Sequence, residues 1–183
     1  MSTQASTAEL VAALYRTSGK AEIVGGEIVL MSPTGGLPSR AAGAIYRRLW
    51  EYERQTKSGW AYTDNVGFLV DLPARKSFSP DASFYVGPPA GPRFPTGAPI
   101  FAVEVRSEEE YGPAAERAMA AKRADYFAAG TKVVWDVDVI RDGVIRVCRA
   151  ASPDSPTLFA RGGVADAEPA LPGWTFLVDE IFD

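Results

Sequence analysis

Three charged side chains in this chain stand where the surrounding residues read as buried. The run Pro99-Ile100-Phe101-Ala102-Val103-Glu104-Val105 looks like a strand inside a sheet, yet it holds a carboxylate at its centre. A lone charge there is costly unless it is paired or bound to a cation. Lys122 falls in the middle of the apolar side of a helical stretch, among Ala115, Ala118, Met119, Tyr126 and Ala129, at about 100° per residue. Glu116 and Arg123 fall away from that side, where solvated residues belong. Asp81, fixed by the preceding Pro80, opens a third apolar run, "DASFYV". Two carboxylates can hold a divalent cation through oxygen. The backbone carbonyl of Val105 offers a further ligand, and a lysine can orient or deprotonate an attacking water. A cation would also account for the charge of Glu104.

Less demanding readings exist for each residue. Side chains alternate along a strand, so Ile100, Ala102, Glu104 and Arg106 share a face, and Arg106 could simply neutralise Glu104. A single lysine on an apolar stripe often snorkels to the rim, and "SPD" is also a turn or capping signature. What links the three is order along the chain. The helix bearing Lys122 follows the Glu104 strand directly and must pack its apolar side back on the sheet, so an inward acid and an inward amine explain each other.

Composition narrows the chemistry further. There is no histidine, which removes Ser-His-Asp and Cys-His nucleophiles, His-ligated zinc and imidazole acid–base chemistry. The single cysteine, Cys148, excludes an internal disulfide and a CxxC zinc set. Hydrolysis would rest on Asp, Glu, Lys, Arg or Tyr with a hard, oxygen-bound metal. The net charge of −4 argues against a generally basic nucleic-acid-coating protein, although a local basic groove can coexist with it. No basic leader with an apolar core and no long apolar run is present, so the expectation is a cytoplasmic protein with no membrane partner.

The elements that must position these residues can be read in outline. The 183 residues suit one domain over 1–183, with 1–8 a loose start and a short helix near Glu9 to Arg16. "AEIVGGEIVLMSP" reads as a hairpin turned at Gly25-Gly26. A helix from about Pro38 to Lys57 carries Ala42, Ile45, Tyr46, Leu49 and Trp50 as its apolar stripe. Arg40, Arg47 and Arg54 recur at sevens on its other side as a candidate track for a nucleic-acid backbone, although Glu51 interrupts that face and a solvated helix face is the commoner meaning of such a pattern. Strands are expected in "GWAYTDNVGFLVDL", "SFSPDASFYVG" and "PIFAVEV". A second helix runs from Pro113 to Gly130, and a hairpin in "KVVWDVDVIRDGVIRVCRA" turns at Asp142-Gly143. One or two edge strands and a last turn of helix end the chain. The fold class that follows is α/β (α+β): a mixed central sheet flanked by helices, with hairpin additions at the N-terminal and C-terminal ends.

The segments "GGEIVLMSPTGG", "SPDASFYVG", "FAVEVRS" and "KRADYFAAGTKVVWDVD", in that order, resemble the Uma-two family of restriction endonucleases, within the PD-(D/E)xK nuclease superfamily. The resemblance covers nearly the whole chain and implies a restriction-endonuclease-like fold. It implies catalysis by Asp81, Glu104 and Lys122, with Mg²⁺ or Mn²⁺ held by Asp81, Glu104 and the Val105 backbone carbonyl. Position 106, where the superfamily often has its lysine, holds Arg106, which becomes a phosphate or carboxylate contact because arginine is too basic for a general base. Glu27, in the leading hairpin, would be an accessory acid. Asp136 and Asp138 share a face and read as structural. Relatives usually carry a histidine after the "SPTGG"-like loop, where this chain reads Leu37-Pro38-Ser39. The implied activity is metal-dependent endonucleolytic hydrolysis of nucleic acid, with DNA as the expected substrate, by a homodimer. Two rival readings stand beside it: a catalytically silent nucleic-acid-binding or assembly module on the same fold, and a metal hydrolase acting on a small phosphate ester.

Overall fold

The computed structural model describes residues 5–183. The loose start expected over 1–8 lies in part outside them. From Ser6 on, the chain is ordered by a capping box, in which the Ser6 hydroxyl and the Glu9 carboxylate satisfy each other's backbone N–H groups at the head of α1 (Thr7–Arg16). The hairpin of β1 (Ala21–Val24) and β2 (Glu27–Leu30) follows, turned at Gly25 and Gly26, both with positive φ. Helix α2 (Gly36–Thr56) then ends at Lys57 in the left-handed conformation.

Short strands follow: β3 (Trp60–Thr63), β4 (Phe68–Leu69), β5 (Ser77–Phe78), β6 (Ala82–Tyr85) and β7 (Phe101–Val105). Helix α3 (Pro113–Ala128) carries the chain from β7 to β8 (Val133–Asp138). Gly130, at φ 105°, releases it where glycine alone is comfortable. The chain closes with β9 (Val144–Arg149), β10 (Ser152–Ala160), β11 (Val164–Asp166), β12 (Thr175–Leu177) and a 3₁₀ turn at Val178–Phe182. Strand β10, nine residues long, starts well before the tail in which one or two edge strands are expected. Its Pro153 and Pro156 are tolerated because it is the outermost strand.

Six strands form the central sheet in the order β10-β9-β8-β7-β6-β3. Only β7 and β8 pair in parallel, as a helical crossover between them requires, and the other pairs are antiparallel. Alternation along β7 sends Phe101, Val103 and Val105 to one face, where they pack with Val133, Trp135 and Val137 of β8. Ala41, Ala42, Ile45 and Leu49 of α2, together with Trp174 and Phe176, complete that core. Ala102 and Glu104 point to the opposite face, where Tyr126 of α3, Phe68 and Phe78 make a smaller core. The Tyr126 and Phe78 rings stack there at 3.9 Å. Helix α3 is shallow: only Tyr126 is fully buried, and Ala118, expected on its inner side, is exposed.

Candidate functional site

Adjacent strands bring the first two acids together. Asp81 lies one residue before β6, and its N–H donates to the carbonyl of Val103 at 2.9 Å. Asp81 Oδ2 then takes the N–H of Val105 at 2.7 Å, so a side chain replaces the next rung of the ladder beside Glu104. The Pro80-Asp81 pair therefore does make a local structural bond, and in doing so fixes its carboxylate against the Glu104–Val105 segment.

Glu104 is satisfied from α3. Lys122 Nζ donates to its Oε2 at 2.8 Å and the Tyr126 hydroxyl donates to its Oε1 at 2.6 Å. One helical turn separates the two donors, which puts both over the same carboxylate. Lys122 is thus turned inward, with 17% of its side chain exposed.

Two further charged residues complete the cluster, and both come from the leading hairpin. Glu22, 2% exposed, receives Lys122 Nζ at 2.9 Å on Oε1, which also accepts the Ser79 N–H at 2.8 Å. Its other oxygen faces Arg75, which reaches on to Asp125 at 2.8 Å. Lys20 Nζ lies 2.5 Å from Asp81 Oδ1 and 2.6 Å from Asp64 Oδ1. The hairpin is held in place by backbone bonds from Gly25 to Ala74 and from Lys76 to Ile23, and by the Ser77 hydroxyl on the Ile23 N–H.

These contacts set the charge states. Burial pushes the Glu104 carboxyl up, to about 7; Lys122 opposes that, and the charges of Asp81 and Glu22 add to it. Burial alone would lower Lys122, but Glu104 and Glu22 more than offset it and hold the ammonium protonated well above the ordinary lysine range. Lys20 is raised too: its burial is outweighed by Asp81 and Glu104 and by hydrogen bonds to Asp64 and Asp81. For Glu22, Lys122 and Arg75 overcome the burial penalty and bring its carboxyl below the usual range. A lysine so held is a donor and a positive charge, and a poor proton acceptor.

Several expected residues lie elsewhere. Arg106 does not pair with Glu104, nor is it free for a phosphate. Its guanidinium is spent on Asp136, at 2.7 and 2.6 Å, and on Glu116, with Asp136 and Arg106 both nearly buried. It is a strut between β7, β8 and α3, and Glu116, expected in open solvent, is its third anchor. Asp136 and Asp138 are structural, as read; Asp138 accepts the Tyr111 hydroxyl at 2.7 Å. Glu27 is exposed on β2, and the buried acid of that hairpin is Glu22 on the other strand. Arg40, Arg47 and Arg54 ride on α2, which packs against the sheet face opposite Glu104. Arg47 pairs with Glu180 at 3.0 Å, Arg40 bonds the Asp183 carbonyl, and Arg54 stacks over Trp50 at 4.8 Å, so they form no track to the acids.

Sequence reasoning passed over Lys20, Glu22 and the hydroxyl of Tyr126. A signal for Glu22 was present: "AEIV" encloses one acid among apolar residues as "FAVEV" does. Lys20 carried none, since a lysine before a short strand reads as surface.

Residues that could hold a hard cation are Asp81 and Glu104. Among the described residues no three acidic, histidine or cysteine side chains gather into a ready ligand set. Two carboxylates nonetheless suit Mg²⁺ or Mn²⁺, which keep several waters and take few protein ligands. The fit is supported by the acids themselves, already drawing a cationic group, the Lys20 ammonium, onto Asp81 Oδ1. Among the described residues no helix is long and apolar enough to cross a membrane.

Comparison with known proteins agrees with this architecture. No curated protein matches the chain. A DUF820 protein from Anabaena variabilis ATCC 29413, whose crystal structure bears the description "putative nuclease", superposes with a TM-score of 0.74. That match covers 94% of this chain and 97% of the other at 13% identity, and it establishes the restriction-endonuclease-like fold. A family model described as "Putative restriction endonuclease" matches residues 8–179. With the match spanning nearly every element from α1 to the last turn, the chain belongs to the Uma2 family.

Proposed function

We propose that this protein is a metal-dependent nuclease that hydrolyses phosphodiester bonds, with DNA as substrate and Mg²⁺ or Mn²⁺ as cofactor. The observation that carries the reading is the pairing of Asp81 and Glu104 on neighbouring strands with an inward ammonium, Lys122, above them. Asp81 and Glu104 are the residues that would hold the ion, with the Val105 carbonyl beside them. A bound divalent ion would supply Lewis-acid stabilisation of charge on the phosphoryl oxygens and a more acidic bound water.

The chain's own groups would then act as follows. Tyr126 and Lys122 fix both oxygens of Glu104, so the carboxylate needs little reorganisation when charge develops. Lys122, kept protonated by two acids, would donate a hydrogen bond to the attacking water or to a phosphoryl oxygen. Glu22 and Arg75 are positioning residues for Lys122. Because each active site of this kind cuts one strand, cleavage of a duplex would call for a second copy of the chain.

The test is nicking of supercoiled plasmid in Mn²⁺ by wild type, Asp81→Ala and Lys122→Met, alongside calorimetric titration of Mn²⁺. We expect cleavage and Mn²⁺ binding by wild type and the loss of both in Asp81→Ala. Equal, weak heats in wild type and Asp81→Ala would sink the proposal. One observation favours the rival reading, a silent binding module: all four carboxylate oxygens of Asp81 and Glu104 already have protein partners. That module predicts DNA retention without Mn²⁺-dependent cutting.

A further inference from the structure

We infer that Lys20 is the resident cation of the site, and that a divalent ion binds by exchange, with the Lys20 ammonium passing from Asp81 to Asp64. This rests on the metal-dependent reading above and concerns a residue outside the proposed catalytic set.

Asp81 has two oxygens and both are engaged. Oδ2 is fixed by the Val105 N–H, a backbone bond that cannot move without shifting β7. Oδ1 is held by Lys20 Nζ at 2.5 Å. The oxygen open to a metal is therefore Oδ1, and reaching it requires the ammonium to leave.

The place it can go is built in. The same Nζ already lies 2.6 Å from Asp64 Oδ1. Asp64 follows β3, whose Thr63 pairs with Ala82, so it stands next to Asp81 across the strand pair. Asp64 is also the more exposed acid, at 43% against 19% for Asp81. An ammonium on a flexible stem can rotate from a site shared by two carboxylates to one carboxylate and water without moving the backbone. Lys20 itself is 16% exposed and lies just before the buried strand β1, so its stem is confined to this corner.

The arrangement has a physical purpose in the metal-free chain. Asp81, Glu104 and Glu22 bring three acids into one region, and Lys122 is shared by two of them. Without Lys20, Asp81 would face Glu104 with no countercharge of its own. Lys20 supplies that countercharge, and would lower the apparent affinity for a divalent cation by competing for Asp81.

The experiment has two parts. First, Mn²⁺ is titrated calorimetrically into wild type, Lys20→Met and Asp64→Asn. Lys20→Met should bind about tenfold tighter because the competing charge is gone. Asp64→Asn should bind severalfold weaker because the ammonium has lost its alternative partner. Second, the side-chain ¹⁵N resonance of Lys20 is followed in wild type as Mg²⁺ is added. At saturation it should approach its position in metal-free Asp81→Asn, where Asp64 is what remains of its two ion-pair partners. The second part keeps the test open should Lys20→Met fold poorly. Equal or weaker Mn²⁺ binding by Lys20→Met, or a Lys20 resonance unmoved at Mg²⁺ saturation, overturns the exchange while leaving the nuclease reading intact. No Mn²⁺ binding by either wild type or Lys20→Met overturns both.

Discussion

Glu104→Gln, studied without metal, should remove a specific pH dependence from the stability of the protein. The carboxyl of Glu104 is pushed from an ordinary 4.5 to about 7, first by burial and then by Asp81 and Glu22, against the pull of Lys122. A group whose folded value lies above its unfolded value stabilises fully below the unfolded value, and that contribution fades as pH rises through the folded one. Between pH 4.5 and 7 the unfolded chain has given up the proton that the native chain retains, so stability falls with pH. At about 1.4 kcal/mol per pH unit the full difference is roughly 3 kcal/mol. The Glu104 side chain is 21% exposed, so solvent screening brings the expectation to about 2 kcal/mol. Glu22 titrates in the opposite sense but is present in both proteins, so the comparison isolates residue 104. The assay is urea denaturation in EDTA at several pH values from 5 to 8. Wild type should lose about 2 kcal/mol relative to the variant across that range. Two stability curves running parallel would refute the reasoning, because the carboxyl would then be ionised throughout.

Other consequences can be measured in the same way. Tyr126→Phe keeps the stack on Phe78 but leaves Glu104 Oε1 without its donor, and should cost about 1–3 kcal/mol in urea denaturation. Arg106→Ala strands the nearly buried Asp136 and should cost about 3–5 kcal/mol, whereas the Arg106→Ala/Asp136→Ala double variant should recover part of that loss. A phosphate-contact role for Arg106 would instead show as lost cleavage at unchanged stability. Glu22→Gln should lower the plasmid-nicking rate with Mn²⁺ affinity nearly unchanged, since Glu22 positions Lys122 rather than touching the ion; an equal fall in Mn²⁺ affinity would make it a ligand.

How the residues are distributed explains what could be read in advance. Alternation along "FAVEV" placed Glu104 on the face opposite Phe101 and Val103, and helical spacing turned Lys122 toward the sheet; both are consequences of local geometry. The association of Asp81 with Glu104 came from the family pattern and not from periodicity, since no local rule says that their two strands are neighbours. The family pattern carried the fold. What local geometry could not supply was the neighbour from a distant segment. Glu22 and Lys20 reach the site only because the leading hairpin is stitched to the chain at Ala74–Ser77, some fifty residues on.

The same reason separates the two arginine predictions from their outcomes. Arg106 points to the expected face of β7, but its partner was decided by β8 lying parallel to β7 in register, Glu104 beside Asp136, and by the head of α3 delivering Glu116. Arg40, Arg47 and Arg54 do share a helix face, yet which side of the sheet α2 covers is a property of the packed layers. The sequence by itself determined the strands, the helices and three charges that had to be compensated. Only the tertiary structure decided how: sequence periodicity fixes the direction a side chain leaves its own element, while the identity of the charge it meets depends on elements that arrive from elsewhere in the chain.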